Sequence, residues 1–234
     1  MIAHQHILGD TASVVGIRLS GTGGQGLVLM GHLLSEALAI YGSLNVVMTK
    51  AYGPEARGGA SRTDIIVGSG EINDLAATHV DILVCLSQQA CDKYYPNLVP
   101  NGIFILDSTN VPVVPTNRAI ELPMTATAAE SCKSKIVTNI IALGVLGRLI
   151  ELVPRKSYAE AMKEGIKPQF QELNQKAFDI GWKMGTKVAE ELTQRQQDTL
   201  DHYRDMLLHP SEPTGKKAAK PSASKHGAKK GNKS

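Results

Sequence analysis

Apolar and polar positions alternate along the chain between short strand-like runs and longer helix-like segments. Residues 14–19 form an apolar run typical of a strand, and residues 26–41 repeat apolar positions with helical spacing. Further strands are expected in residues 45–49, 61–68, 80–86, 103–107 and 119–122, with a short helix in residues 88–98. This alternation favours a single α/β fold, and we expect a Rossmann-like, mostly parallel, doubly wound sheet.

The second half of the sequence has helical rather than strand periodicity. Residues 126–152 are predicted as one long helix because Ile136, Ile140 and Leu143 would share a broad apolar face. Pro154 would end this helix, and two further helices are expected in residues 156–165 and 168–208. The sequence therefore predicts a C-terminal helical extension of the sheet domain.

The length of 234 residues is enough for one generous α/β domain with its own core. We place this domain at residues 13–208, between a flexible N-terminus (1–12) and a disordered basic tail (209–234). The tail contains no hydrophobic residue larger than Ala, so it cannot bury enough surface to offset its ordering entropy. It serves either as a solubilising segment or as a contact for an acidic partner protein.

The net charge of +3 arises from the tail, where residues 213–234 contain seven Lys and no acidic residue. The rest of the chain has 18 basic and 22 acidic residues, which gives no indication of nucleic-acid binding. No stretch is long and apolar enough to span a membrane, and we expect a cytoplasmic protein. The three cysteines lack C-x-x-C spacing and are predicted to be buried and reduced: Cys85, Cys91 and Cys132.

A glycine-rich turn between the first strand and the first helix contains the most specific motif. Gly21, Gly23 and Gly26 fit the G-x-G-x-x-G pattern of dinucleotide-binding folds, and Gly24 and Gln25 complete the turn. Glycines allow a close backbone approach, and a helix N-terminus presents free N–H groups to anions. The pattern also requires an acidic residue after the second strand to bind the ribose, but Thr49 and Lys50 stand there. The turn thus predicts the first strand and helix of a Rossmann-like fold, but it does not indicate that the chain binds NAD.

A second informative stretch follows the strand in residues 45–49. It reads Tyr52-Gly53-Pro54-Glu55-Ala56-Arg57-Gly58-Gly59-Ala60-Ser61, with Arg62 directly after it. Pro54 and the Gly58-Gly59 pair fix bends, and the loop concentrates opposite charges. Such a loop suits an anion site or a docking surface. A merely solvated loop is the remaining alternative.

Other polar positions have structural interpretations. We expect Ser87 to cap a helix, Asp107 to form a turn, and Lys135 with Asn139 to lie on an exposed helix face. The histidines show no metal-ligand spacing, and no nucleophile–base pair is evident. We therefore predict no catalytic residue and no metal site in this chain.

Together, these motifs resemble the γ subunit, or γ domain, of 2-oxoacid:ferredoxin oxidoreductases. The similarity rests on residues 21–26 and 52–59 in this order, and it continues through Ser87-Gln88-Gln89-Ala90, Asp107-Ser108 and Asn139. It covers roughly residues 14–190. Among such enzymes, the sequence resembles the 2-oxoglutarate type more than the pyruvate or branched-chain types.

The resemblance implies a role within a multisubunit complex. In this family, thiamine diphosphate, magnesium and iron–sulfur clusters reside on α, β and often δ subunits, and coenzyme A and ferredoxin are co-substrate and electron acceptor. It implies that the chain binds no cofactor alone and packs against the α subunit. The resemblance implies two sets of site residues. Contacts with coenzyme A or another subunit would come from the turn and two arginines: Gly21, Gly23, Gly24, Gln25, Gly26, Arg57 and Arg62. The subunit interface would be formed by Tyr52, Pro54, Glu55, Arg57, Gly58 and Gly59. A free-standing nucleotide-binding oxidoreductase or regulatory domain is the alternative.

Overall fold

The computed structural model describes residues 14–51, 59–73 and 79–210. The predicted flexible N-terminus, the predicted disordered tail beyond residue 210 and most of the loop in residues 52–59 lie outside these ranges. The strands and helices are β1 (Val14–Thr22), α1 (Leu27–Ile40), β2 (Asn45–Ala51), β3 (Ala60–Gly68), β4 (Val80–Cys85), α2 (Gln88–Tyr94), β5 (Leu98–Asp107), β6 (Ile120–Leu122), α3 (Met124–Cys132), α4 (Thr138–Ile150), α5 (Arg155–Gly165), α6 (Pro168–Glu191) and α7 (Gln194–Leu208).

The six strands of the described ranges form one sheet in the order β2-β3-β1-β4-β5-β6. β3 is antiparallel to both of its neighbours, whereas β1, β4, β5 and β6 pair in parallel. This confirms the predicted mostly parallel α/β fold. Because β3 is inserted between β1 and β2, the end of β2 lies two strand spacings, about 10 Å, from β1.

Helices cover the two faces of the sheet unequally. On one face, Ile17 and Leu19 of β1 join a large apolar core with side chains from α1, α4, α5, α6 and α7. On the other face, Leu83 and Phe104 pack against α2 in a smaller cluster. The carboxyl ends of β1, β4 and β5 meet at one edge, which we call the carboxyl edge.

The prediction of one helix over residues 126–152 was wrong. α3 ends at Cys132, the next residue, Lys133, adopts a left-handed conformation (φ 54°), and a 3₁₀ turn over Lys135–Val137 precedes α4. A single α-helix cannot contain such a residue, so the chain changes direction there. Ile136, which we expected in the apolar face, is 84% exposed.

The predicted helix over residues 168–208 is also two helices. α6 ends at Glu191, the next residue, Leu192, leaves the helical conformation (φ −59°, ψ 138°), and Thr193 caps the start of α7. The Thr193 hydroxyl accepts a hydrogen bond from the backbone N–H of Gln196, and the Gln196 side chain accepts one from the backbone N–H of Thr193. This is a capping box, whose T-x-x-Q signature stands in the sequence. None of the helices in the described ranges is both long and apolar enough to cross a bilayer.

α7 covers the first halves of β1 and β4, where its side chains face Val15, Ile17 and Ile82, and it contacts the end of α4. Leu200 and Leu207 are buried against the core. Arg204 donates to the carbonyl of Ile150 through Nε (3.0 Å) and to that of Leu149 through Nη2 (2.7 Å). Because the last carbonyls of a helix have no partner within it, Arg204 stabilises the C-terminus of α4.

α4 and α6 pack with their backbones in direct contact. A β-carbon added to Gly181 would come closer than 3.0 Å to the carbonyl of Ile141, and one added to Gly144 would meet the backbone of Phe178 and Trp182. Only glycine fits at such a crossing. These residues therefore set the position of α6 on the core.

Tyr158 of α5 is fully buried, and its hydroxyl has no hydrogen-bond partner within the described ranges. Burial raises the pKa of this phenol. The hydroxyl has lost its hydrogen bonds to water and makes none in the described protein, so its removal should not destabilise the fold. Tyr158→Phe is expected to lower the free energy of unfolding by less than about 0.5 kcal/mol, or to raise it. Tyr94→Phe is the matched control, since the Tyr94 hydroxyl donates to the carbonyl of Ala60 (3.1 Å). Denaturant unfolding should show a loss of about 1 kcal/mol for that variant alone.

Candidate functional site

The glycine turn lies at the carboxyl edge and is stabilised by its own glutamine. Gln25 accepts a hydrogen bond from the backbone N–H of Thr22 (2.7 Å) and donates to the carbonyl of Leu86 after β4 (3.0 Å). A β-carbon on Gly21 would come closer than 3.0 Å to the Gln25 carboxamide. The space beside Gly21 is thus filled by the side chain of Gln25 from the same turn.

Position 26 also requires a glycine, because a neighbouring side chain leaves no room for a β-carbon there. It precedes α1 with φ 72°, in the left-handed region that favours glycine. Asn139 of α4 donates from Nδ2 to the Gly26 carbonyl (3.1 Å), and a β-carbon on Gly26 would overlap this amide. The expectation that Asn139 is exposed was wrong, since only 3% of it is accessible; Lys135, expected beside it, is exposed. The 3₁₀ turn accounts for this, because it points the start of α4 toward α1.

The middle of the turn is open. Gly23 and Gly24 are exposed, and a β-carbon built on either would meet no atom within 4 Å in the described chain. Among the residues that the structure describes, no side chain caps the start of α1, and the first turn of α1 contains no acidic residue. A bare backbone at a helix N-terminus is compatible with a bound anion or with a closely packed protein surface.

The two structural interpretations at neighbouring strand ends are confirmed. The Ser87 hydroxyl accepts from the backbone N–H of Ala90 (3.3 Å) and caps α2. Asp107, fully buried at the end of β5, accepts from the backbone N–H of Thr109 (3.2 Å) and fixes the turn after the strand.

Asp107 also accepts a hydrogen bond from another element that the sequence did not reveal. Thr125 of α3 donates from its hydroxyl to the Asp107 carboxylate (2.5 Å), and its oxygen lies 3.3 Å from the hydroxyl of Thr138. Thr138 in turn donates to the carbonyl of Lys135 (2.8 Å). Each hydroxyl has a single proton, so the approach of Thr125 to Thr138 is a polar contact and not a hydrogen bond. The hydrogen bonds fix the end of β5 to α3, and the first residue of α4 to the 3₁₀ turn.

Arg62 belongs to a cluster of charged and aromatic side chains on the α2 face of the sheet. Asp64 accepts from Nε and Nη2 of Arg18 (2.6 and 2.8 Å), and Arg62 Nε lies 3.2 Å from the same carboxylate. Both guanidinium groups stand over the ring of Tyr94, at 5.3 and 5.5 Å. Arg62 is thus held in an ion-pair cluster with its side chain one-third exposed.

The remaining predicted site residues fall outside the described part of the chain. These are Tyr52, Pro54, Glu55, Arg57 and Gly58. Gly59 is the first residue described after them and is buried. The proposed interface loop therefore stays a prediction, flanked by the described ends of β2 and β3.

The cysteines are buried and form no disulfide, as predicted. Burial raises the pKa of the Cys85 thiol well above its usual value, and a hydrogen bond with Cys85 lowers the pKa of Cys91. Both side chains are inaccessible, so the pair packs beneath α2. Within the described ranges, no three His, Cys, Asp or Glu side chains are grouped as metal ligands.

The profile of one protein family, described as pyruvate ferredoxin/flavodoxin oxidoreductase, matches residues 16–184. The matched segment begins in β1 and ends within α6, so it includes the glycine turn and all of the sheet except the first two residues of β1. The chain belongs to this family.

Several family members are similar over most of their length. The 2-oxoglutarate synthase subunit KorC of Methanocaldococcus jannaschii is 39% identical over 183 residues, which are 75% of this chain and 94% of that protein. The solved γ subunit of a keto/oxoacid ferredoxin oxidoreductase from Geobacter sulfurreducens is 35% identical, with a TM-score of 0.69. That match covers 75% of this chain and 98% of the solved chain.

A more distant relative contains the same domain within a longer chain. The ketoisovalerate oxidoreductase subunit VorA of Methanothermobacter thermautotrophicus is 30% identical over 151 residues, which are 64% of this chain and only 31% of that protein. The domain thus occurs both as a separate chain and as part of a larger polypeptide.

Proposed function

We propose that this chain is the γ subunit of a 2-oxoglutarate:ferredoxin oxidoreductase. The complex would convert 2-oxoglutarate and coenzyme A into an acyl-CoA and carbon dioxide with transfer of electrons to ferredoxin, or catalyse the reverse carboxylation. The single observation that carries the choice of 2-oxoacid is the 39% identity to a 2-oxoglutarate synthase subunit over nearly its full length.

We assign this chain a non-catalytic role. Its carboxyl edge presents a bare glycine turn, capping side chains and a buried aspartate that holds neighbouring elements together. These groups can hold the backbone of this chain in place or contact a partner subunit. The oxidative decarboxylation would take place on the α, β and possibly δ subunits, which would hold thiamine diphosphate, magnesium and iron–sulfur clusters. The domain's occurrence within a longer oxidoreductase chain supports close packing against such companions.

We further propose that the glycine turn or the adjoining arginines contact a phosphate of coenzyme A. The open backbone at Gly23 and Gly24 supports this, as does the uncapped start of α1. Arg57→Ala in the assembled complex is expected to raise the KM for coenzyme A about tenfold, because a charge-assisted hydrogen bond contributes roughly 1.5–3 kcal/mol. Arg155→Ala is the control, since Arg155 forms an exposed ion pair with Asp179. An unchanged KM would exclude Arg57 from this role.

The decisive experiment is reconstitution with companion subunits. Co-expression should yield a coloured, cluster-bearing complex that contains this chain, and a panel of 2-oxoacids should show preference for 2-oxoglutarate. The alternative, a free-standing nucleotide-binding domain, predicts tight NAD binding by the isolated chain. The geometry argues against that alternative, because β2 lies two strands from β1 and ends at Thr49-Lys50-Ala51 without a carboxylate for the ribose.

A further inference from the structure

Asn101 and Gly102 form a bend near the start of β5. Asn101 has φ 76°, in the left-handed region that asparagine adopts more readily than most residues, and it is exposed. β5 pairs with β4 at Leu98 and then at Ile103, and it pairs with β6 from Ile105 onward. The Asn-Gly pair thus stands between the paired positions of the strand, where water can reach the asparagine.

Packing requires a glycine at position 102. A β-carbon there would come closer than 3.0 Å to the side chain of Leu98 and to the carbonyl of Asp81. The backbone nitrogen of Gly102 therefore follows the exposed carboxamide of Asn101 without a side chain beside it. Such a nitrogen is an unhindered nucleophile for the carboxamide carbon, Cγ of Asn101.

Two guanidinium groups converge on the carboxamide oxygen of Asn101. Arg118, in the loop before β6, donates to this oxygen from Nη1 (3.4 Å), and Arg195, in the first turn of α7, donates to it from Nη2. Among the residues that the structure describes, neither arginine pairs with a carboxylate. Two positive charges therefore face one neutral oxygen.

This arrangement favours attack on the carboxamide carbon. Hydrogen-bond donors to a carbonyl oxygen stabilise the negative charge that the oxygen acquires when a nucleophile adds to the carbon. The same donors would stabilise a carboxylate at this position, because a hydrogen bond between charged groups is about twice as strong as one between neutral groups. Both the reaction and its product thus gain from the two arginines.

We propose that Asn101 is a site of spontaneous deamidation, whose aspartate product joins β5 to α7 through Arg118 and Arg195. The Gly102 nitrogen attacks Cγ, and its proton passes through water to the carboxamide nitrogen, which leaves as ammonia. The resulting cyclic imide is opened by water at Cγ, and the Gly102 nitrogen regains a proton. One water molecule is consumed and one ammonia is released, so water is the only co-reactant.

The surroundings favour aspartate over isoaspartate as the product. If water instead added to the backbone carbonyl of Asn101, Gly102 would become linked through the side chain, and β5 would be longer by one carbon. This would disturb the pairing of Ile103 with Ile82. The two arginines polarise Cγ rather than the backbone carbonyl, so they direct water to the carbon that restores the normal chain.

Incubation of the full-length chain in heavy-oxygen water, followed by peptide mass spectrometry, tests the proposal. Asn101 is expected to become aspartate with one heavy oxygen, whereas Asn117, which is exposed but precedes an arginine, should remain an amide. Arg118→Gln and Arg195→Gln should each slow the conversion by roughly fivefold, since an exposed donor acts more weakly than one in a water-excluded site. Arg155→Gln is the matched control, an exposed arginine of α5 that should leave the rate unchanged.

A second measurement concerns the product. Asn101→Asp is expected to raise the urea midpoint of the full-length chain slightly, as an exposed ion pair does, but not when Arg118 and Arg195 are both replaced by Gln. Four results would overturn the proposal: an amide at position 101 that lasts as long as Asn117, a rate unaffected by either arginine, isoaspartate as the main product, or a midpoint rise that persists without both arginines.

Discussion

Asp64→Ala is expected to lower the free energy of unfolding by about 3–5 kcal/mol. The Asp64 carboxylate is buried and accepts two hydrogen bonds from Arg18, which is itself 2% exposed. Removing it leaves the Arg18 guanidinium in the interior without that carboxylate, and it also frees Arg62 from its ion pair. Loss of a buried charge partner costs far more than loss of one in water, because the remaining charge keeps its desolvation penalty.

Urea unfolding of the isolated chain measures this loss, and Asp179→Ala provides the comparison. Asp179 pairs with Arg155 at 2.5 Å, but both side chains are substantially exposed. Its removal should cost less than about 1 kcal/mol. Equal losses for the two variants would mean that burial does not distinguish the pairs and would contradict the expectation.

Gly181→Ala is expected to cost about 3 kcal/mol despite the higher helix propensity of alanine. The new methyl group would overlap the carbonyl of Ile141, and a backbone atom cannot move aside as the end of a side chain can. α6 would have to shift away from α4, which would disturb the contacts of Phe178 and Trp182 with Tyr158 of α5.

The control for this substitution is Gly23→Ala. A β-carbon at Gly23 meets nothing within 4 Å of the described chain, and its backbone is not in the left-handed region. We expect a change of less than about 0.5 kcal/mol in calorimetric or denaturant unfolding. A small effect of Gly181→Ala would show that the α4–α6 crossing relaxes more easily than close packing implies.

Much of the fold could be predicted because apolar periodicity is local. All six strands and the position of α1 follow from it. The direction of β3 does not, since its pairing with β1 joins residues such as Arg18 and Asp64 that lie far apart in sequence. The break at Lys133 was missed because the helical spacing of apolar residues continues across it, and one left-handed residue is enough to end a helix. The break at Thr193 could have been recognised, because the T-x-x-Q pattern of a capping box is present in the sequence.

The candidate site was predicted where a motif defines it and missed where tertiary contacts do. The glycine turn was recognised, but the partners that require Gly21 and Gly26 are the side chains of Gln25 and Asn139. A polar Asn within an apolar helix is the only signal that could have indicated the second contact. The hydrogen bond from Thr125 to Asp107 links α3 to β5 and has no local pattern at all.

The role of α7 affects how the chain folds as it is synthesised. Val15, Ile17 and Ile82 line the region beneath α7, and the last carbonyls of α4 depend on Arg204. A ribosome completes Ile150 before α7 exists, and at about 5–20 residues per second Leu208 follows roughly 3–12 s later. During this interval the nascent sheet has an apolar edge open to water. Newly made chains should therefore need chaperone protection until the final helix emerges, even though the finished domain covers that edge itself.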